Sequence, residues 1–410
     1  MKQRLLAIAA AISLPVILIS AGCTSGGGAS PSNSAPTVTK LALWDGYSQY
    51  NTGSSPYEGL ISTCEKATGI TIERTVDQKT GDRLTQAAST GALPDLVVLD
   101  NPNVAQFAQT GVLVDNETSG IDTSKMLPNI VASGKYKGKT YGAPFGSNTL
   151  ALFYNKDMFT AAGLTPPTTW DELKTAAQKL TNKSKGQYGI AFSARPDAEG
   201  TFQFLPFFWG AGAALTKLDS PEATEALQFW VDLVKGGYAS SENVTLNQQE
   251  VRDQFTAGHT AMMVNGTWQL NELDKSGVKY AVVPIPAKAG GPAASPLGGE
   301  FINVVQNKDS ARVKAAAAFA NCFVQPANLT GWLTGQTYIS PYADQAAQQA
   351  SADARLVPWV KAVGAARSRT EDLGSAYAGV ATKLGEAISS AVAGQSKPAD
   401  ALKTAAAASK

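Results

Sequence analysis

The sequence predicts an α/β protein of at least two domains, on three observations. Strand-like and helix-like segments alternate from residue 38 onward, the pattern of a parallel sheet with helices on both faces. The chain has 410 residues, too many for one ordinary core. Its 44% apolar and 16% charged residues fit a globular protein.

The elements follow in order. Residues 40–44, KLALW, read as a strand, and 56–68 as a helix ending at Gly69. Residues 70–76, rich in β-branched side chains, form the next strand, and 82–89 the next helix. The apolar run before Asp100, residues 95–100, has the character of a buried parallel strand. Ligands in such sheets bind off the carboxyl ends of strands, which points to Trp44 and Asp45 at one end and to Asp100 and Asn101 at another. Thr169 and Glu172 make a capping box that opens a helix to about Leu180. Ser220 and Pro221 supply an N-cap and first helical position for a helix to Lys235. Strands are expected at 261–264 and 280–284 around a helix at 268–275, and a Gly/Pro/Ala-rich loop or crossing at 287–299. The last third reads as helices over 309–324, 342–351, 355–364, 371–393 and 397–408.

Composition excludes several functions. A net charge of +1 gives no electrostatic footprint for nucleic acid, so no such partner is expected. The single histidine, His259, excludes His-cluster metal sites and argues against a His-dependent hydrolytic triad. No metal or other cofactor is expected. In an exported protein the pair Cys64 and Cys322 suggests a disulfide, the alternative being two buried thiols.

Export is read from the N-terminus. Lys2 and Arg4 precede an apolar run over residues 5–19 that is short of the ~20 residues a spanning helix needs. Ser20-Ala21-Gly22-Cys23 resembles a lipobox, the cleavage site of bacterial lipoproteins, which implies diacylglyceryl attachment at Cys23. On this reading residues 1–22 are a signal peptide and 23–36 a flexible Gly/Ser/Pro tether. Plain secretion is the alternative. No later apolar run reaches spanning length; the Ala-rich stretch 315–320 is short.

Residues 142–173, GAPFGSNTLALFYNKDMFTAAGLTPPTTWDEL, resemble the signature segment of family 1 extracellular solute-binding proteins, the maltose-binding-protein-like receptors of ABC importers. TGALPDLVVLD (90–100), YKGKTYGAP (136–144), AMMVNGTWQL (261–270), PLGGEFINVV (296–305) and GQSKPADALKTA (394–405) agree in the same order. The resemblance implies a two-lobe periplasmic-binding-protein fold (type II, Venus-flytrap) with a cleft and three interlobe crossings, expected near 145–149, 293–298 and 334–340. Lobe 1 is then 37–146 and 298–335, and lobe 2 is 147–295 and 338–410. It also implies a non-catalytic carbohydrate receptor, monomeric, lipid-anchored outside the membrane and docking on transmembrane permease subunits.

A sugar presents C–H faces for aromatic rings and hydroxyls for polar groups. Matching the family's segments places Trp268, Asn148, Asp100, Asn101, Phe202, Gly298, Gly299 and Glu300 at ligand positions. Trp44, Asp45, Trp209 and Tyr338 join them by position at strand ends or crossings. Trp170 and Trp230, on helices, read as packing, as does Asp95, while Trp332 and Trp359 stay undecided. Two other readings compete. A glycoside hydrolase needs two carboxylates across a cleft, for which Asp45, Asp100 and Glu300 are the candidates. A polyol or glycerol-phosphate ester needs arginines or backbone donors, and Arg195, Arg367 and Arg369 sit on no site motif.

Overall fold

The computed structural model describes residues 38–409. The signal segment, the tether and Cys23 lie outside them. Eleven strands are described in chain order: β1 (Lys40–Asp45), β2 (Thr71–Val76), β3 (Leu96–Asp100), β4 (Lys135–Tyr136), β5 (Lys139–Thr140), β6 (Ala143–Pro144), β7 (Leu150–Asn155), β8 (Tyr188–Ala191), β9 (Thr260–Gly266), β10 (Tyr280–Val283) and β11 (Glu300–Val304). β4 and β5 form a small hairpin. The others make two sheets, ordered β2-β1-β3-β11-β6 and β10-β7-β9-β8.

The first sheet is parallel from β2 through β3; β11 returns antiparallel to both β3 and β6. In β1 the alternation sends Leu41, Leu43 and Asp45 to one face, all without exposure, and leaves Trp44 on the other. Each buried leucine is worth about 1.5–3 kcal/mol. The helix Pro56–Thr68 starts at a complete capping box, Ser55 with Glu58, and ends at Gly69 in the left-handed region. It packs with Ser310–Phe323 and Pro326–Gln336 around Leu41, Leu43, Phe319 and Trp332.

The second sheet is sandwiched. One face carries Trp170–Leu180, Ala198–Gly210, Pro221–Lys235, Tyr377–Val392 and Pro398–Ala408; the other carries Val357–Gly364, whose Trp359 lies 5.7 Å from Phe153. Three stretches run side by side between the sheets: Ser147 bridges Ile339, and Asn148 bridges Gly298. All three fall within the windows expected for the crossings.

Several boundaries differ from expectation. The helix expected over 371–393 begins at Tyr377, because Gly374 adopts φ +54° and a short 3₁₀ turn precedes it. Ala198–Gly210 was not expected as a helix: Pro206 interrupts its pattern, and seven of its thirteen residues are apolar or aromatic, which blurs any periodicity. Cys64 and Cys322, on facing helices, form a disulfide with Cα atoms 5.7 Å apart. No helix among the described residues is long and apolar enough to cross a membrane.

Candidate ligand-binding cleft

A cavity of about 820 Å³ opens between the two sheets' lobes. Tyr47, Tyr50, Asp100 and Glu300 enter it from the first lobe; Glu199, Phe202, Gln248, Arg252 and Trp268 enter from the second. Asn148, Gly298, Gly299 and Tyr338 come from the crossings.

The first-lobe wall is built on a buried ion pair. Asp45, at the end of β1, accepts from Arg74 Nε at 2.7 Å and Nη2 at 2.9 Å. Its Oδ1 also accepts from the Tyr47 backbone N–H at 2.9 Å. Arg74 further donates to the carbonyls of Tyr50 and Tyr47 at 2.9 and 3.0 Å. Asp45 is therefore withdrawn from the cavity and fixes the loop that delivers Tyr47 and Tyr50 to it. Trp44 is also outside the lining, contrary to expectation. The strand alternation turns it to the opposite face, where the Arg83 guanidinium covers its ring at 4.3 Å and Leu84 and Val97 pack nearby.

Glycine shapes the hinge and the opposite wall. Gly299 adopts φ +117°, and a Cβ there would meet the Gly146 carbonyl at 2.2 Å. In the second lobe a Cβ on Gly266 would fall 2.1 Å from the Trp268 ring, so the indole folds back over the end of β9 only because position 266 has no side chain. Trp268 is half-buried and packs against the apolar clusters of both lobes; its Nε1 is buried without a partner. Phe202 stands 6.4 Å from it, centroid to centroid.

Trp209 was also expected here and is absent from the lining. It lies two turns beyond Phe202 on the same helix face, roughly 10 Å along the axis, which carries it past the cavity. It is 8% exposed, packs in the second lobe's core and has Arg367 above its ring at 4.9 Å. Asn101, likewise outside the lining, is 2% exposed and ties the hinge: its Nδ2 donates to the Leu297 carbonyl at 3.2 Å and its backbone N–H to that of Gly299 at 3.1 Å. Trp332 and Phe145 belong to an aromatic cluster behind the cavity with Tyr47 and Tyr57. Trp359, Trp230 and Trp170 are core residues.

Arg369 is the main residue that sequence reasoning left without a place. It sits in a loop held to the hinge by backbone bonds from Leu297 N–H to the Arg367 carbonyl, 2.8 Å, and from Arg367 N–H to that of Ser295, 2.9 Å. Its guanidinium, 4% exposed, donates to both Asp100 oxygens, to Asn101 Oδ1 at 3.0 Å and to the Leu297 carbonyl at 3.0 Å, and it lies 4.9 Å over the Phe202 ring. The glutamines and Arg252 of the helix Gln248–Thr256 carried no sequence signal beyond a polar surface.

Charge in the cleft is unevenly compensated. Arg369 is engaged by Asp100. Arg252 donates to Asp253 at 2.7 Å and to Gln269 at 3.1 Å. Burial, reinforced by the neighbouring Asp100 charge, pushes the Glu300 carboxyl up to about 8. Burial also raises Glu199, and it holds Tyr47 and Tyr338 well above the usual phenol value, with Glu300's charge adding to both.

Comparison with known proteins agrees with this geometry. The family profile of bacterial extracellular solute-binding proteins matches residues 59–358. The maltotriose-binding protein of Pyrococcus abyssi is 29% identical over 209 residues, covering 49% of this chain and 43% of that protein. The sn-glycerol-3-phosphate-binding periplasmic protein UgpB of Rhizobium meliloti is 30% identical over 218 residues, 50% of each chain. The chain thus spans about half the length of the curated relatives it matches. An ABC transporter solute-binding protein of Thermotoga lettingae, solved with α-D-tagatose, superposes with a TM-score of 0.79 at 25% identity, over 90% of this chain and 98% of that one.

Proposed function

The chain belongs to the bacterial extracellular solute-binding proteins, and from that premise we propose that it is the substrate-binding receptor of an ABC importer whose ligand is a carbohydrate. The observation that carries the reading is the composition of the cleft: rings of Tyr47, Tyr50, Phe202 and Trp268, and amides such as Asn148 and Gln248, drawn from both lobes around one cavity. Aromatic faces cover the C–H patches of a sugar ring, and amides satisfy its hydroxyls, which would otherwise cost about 1–3 kcal/mol each when buried unpaired. A ligand touching both lobes binds the closed arrangement better than the open one and shifts the hinge equilibrium by that difference; the permease reads closure. A relative described as a maltotriose-binding protein and a structural neighbour solved with tagatose support the class.

The glycerol-phosphate alternative, favoured by the likeness to UgpB, is weaker on charge. A phosphate wants free guanidinium groups, and both arginines lining the cavity are already engaged. A hydrolase is weaker still: Asp100 and Glu300 are direct cross-strand partners, and Asp100 is bound bidentate by Arg369. Lipid anchoring through Cys23 is part of the same proposal and would hold the receptor on the extracytoplasmic face of the cell membrane; Cys23→Ala should move the protein from the membrane to the soluble fraction. The mass of whatever co-purifies in the cleft tests the ligand class, and its recovery unchanged after long incubation tests the absence of turnover. A co-purified phosphate ester, or a cleaved sugar, would replace this reading.

A further inference from the structure

Asp100 and Glu300 face each other across β3 and β11, and only one of them has a counter-charge. Arg369 serves Asp100 and stacks on Phe202. Among the described residues Glu300 has no basic group within ion-pair distance: the groups whose charge reaches it are Asp100, Arg369, Tyr47, Tyr50, Tyr57 and Tyr338. Its Oε2 and the Tyr47 hydroxyl are both buried and neither makes a well-formed hydrogen bond, although the two lie close enough to interact weakly with each other. The remaining cavity carboxylates have donors of their own, Glu199 from the Gln248 N–H at 3.0 Å and Glu272 from Lys275 at 2.7 Å.

We propose that the ligand carries a protonated amine, seated against the Glu300 carboxylate and the rings of Tyr47 and Tyr338, so that the receptor's substrate is an amino sugar. The proposal rests on the carbohydrate reading and names the kind of sugar within it. A carboxylate beside aromatic faces is a site for an ammonium group: the charge-assisted hydrogen bond and the attraction of the cation to the rings act together where water is excluded. The cleft already holds one such arrangement, Arg369 between Asp100 and Phe202; the ligand's amine would supply the second. A neutral hydroxyl would leave the carboxyl in its protonated form. An ammonium ionises it, and the proton leaves to solvent on binding.

That difference fixes the test. Matched pairs (glucosamine and glucose, galactosamine and galactose, mannosamine and mannose, chitobiose and cellobiose) are titrated calorimetrically into the mature protein at several pH values below the Glu300 value of about 8. For at least one pair the amine should bind at least ~10-fold tighter than its hydroxyl counterpart, with affinity rising up to ~10-fold per pH unit because a proton is released. Glu300→Gln should abolish both the advantage and the slope, and the wild-type slope stands as evidence even if that variant folds poorly. Neutral sugars binding as tightly as the amines, or an amine affinity flat in pH, overturns the proposal and leaves the carbohydrate reading intact. Binding of no member, with a co-purified ligand that is not a sugar, overturns both.

Discussion

Arg369 and Asp100, 269 residues apart in sequence, form a bidentate ion pair that joins the C-terminal loop to the end of β3 at the floor of the cleft. The two partners are unequally buried: the arginine side chain is 4% exposed and the aspartate 42%. The pair is therefore asymmetric to mutation.

Arg369→Met leaves behind a carboxylate that water still reaches, whereas Asp100→Asn strands a buried guanidinium without its anion. Breaking a buried pair in that way costs about 3–5 kcal/mol, and partial solvation reduces the cost for the other partner. Urea denaturation should show Asp100→Asn to be the more destabilising variant. Arg369→Lys should not restore the parent, since one ammonium replaces four directed N–H contacts. Equal losses from the two variants would mean that the pair contributes nothing beyond its hydrogen bonds.

Trp268 offers a test through its neighbour. Trp268→Ala should weaken ligand binding by about 2–4 kcal/mol, as removal of a central aromatic anchor does. It packs on both lobes' clusters, so some loss of melting temperature accompanies it. Gly266→Ala separates the effects: the indole stays in the chain, but the new Cβ occupies its place. Calorimetry should show weakened binding in both variants. Parent-like affinity in Gly266→Ala would show that the indole's position over β9 is not what the ligand uses.

The strands and helices with local punctuation were legible in the sequence. Ser55, Glu58 and Gly69 bound the first helix, and the run before Asp100 forms β3 as its composition implies. Asn148, Phe202, Trp268 and Glu300 reach the cavity from segments that could be matched to a family. Trp44, Asp45, Trp209 and Tyr338 were placed by proximity to strand ends or crossings alone, and of these Tyr338 lines the cavity. Such proximity does not say which face a side chain takes: alternation turns Trp44 away, Arg74 captures Asp45, and two turns of helix carry Trp209 past the site. Arg369 was invisible as a site residue because its place depends on how a distant loop docks on the hinge.

The Cys64–Cys322 bridge closes a separation of 258 residues between two first-lobe helices. Chain-entropy estimates for loops this long reach ~4–5 kcal/mol, commonly less in practice. Cys64→Ala/Cys322→Ala should lower stability by about 2–4 kcal/mol while leaving affinity near the parent value, as neither cysteine lines the cavity. Thiol titration of the unfolded, unreduced Cys23→Ala protein should read no free thiol. Two reactive thiols would show that the bridge does not form.

Glu300 should make the unliganded protein's stability fall with pH. Its carboxyl titrates near 8 in the folded chain, against 4.5 for the unperturbed group, with burial the main cause and Asp100 the next. Between those values the folded protein keeps a proton that the unfolded chain has released, so stability is full below the unfolded value and is lost as pH rises through the folded one. At 1.36 kcal/mol per unit the whole effect is at most roughly 4–5 kcal/mol, complete above about pH 9. Tyr47 and Tyr338, whose hydroxyls titrate well above the ordinary phenol value, do not contribute in that range. Denaturation at pH 5, 7 and 9 should show a decline in the parent and a much flatter profile in Glu300→Gln, which overtakes the parent at the alkaline end. Parallel profiles would mean that Glu300 is solvated and ionised in the empty cleft, with no uncompensated carboxyl there to recruit a ligand's charge.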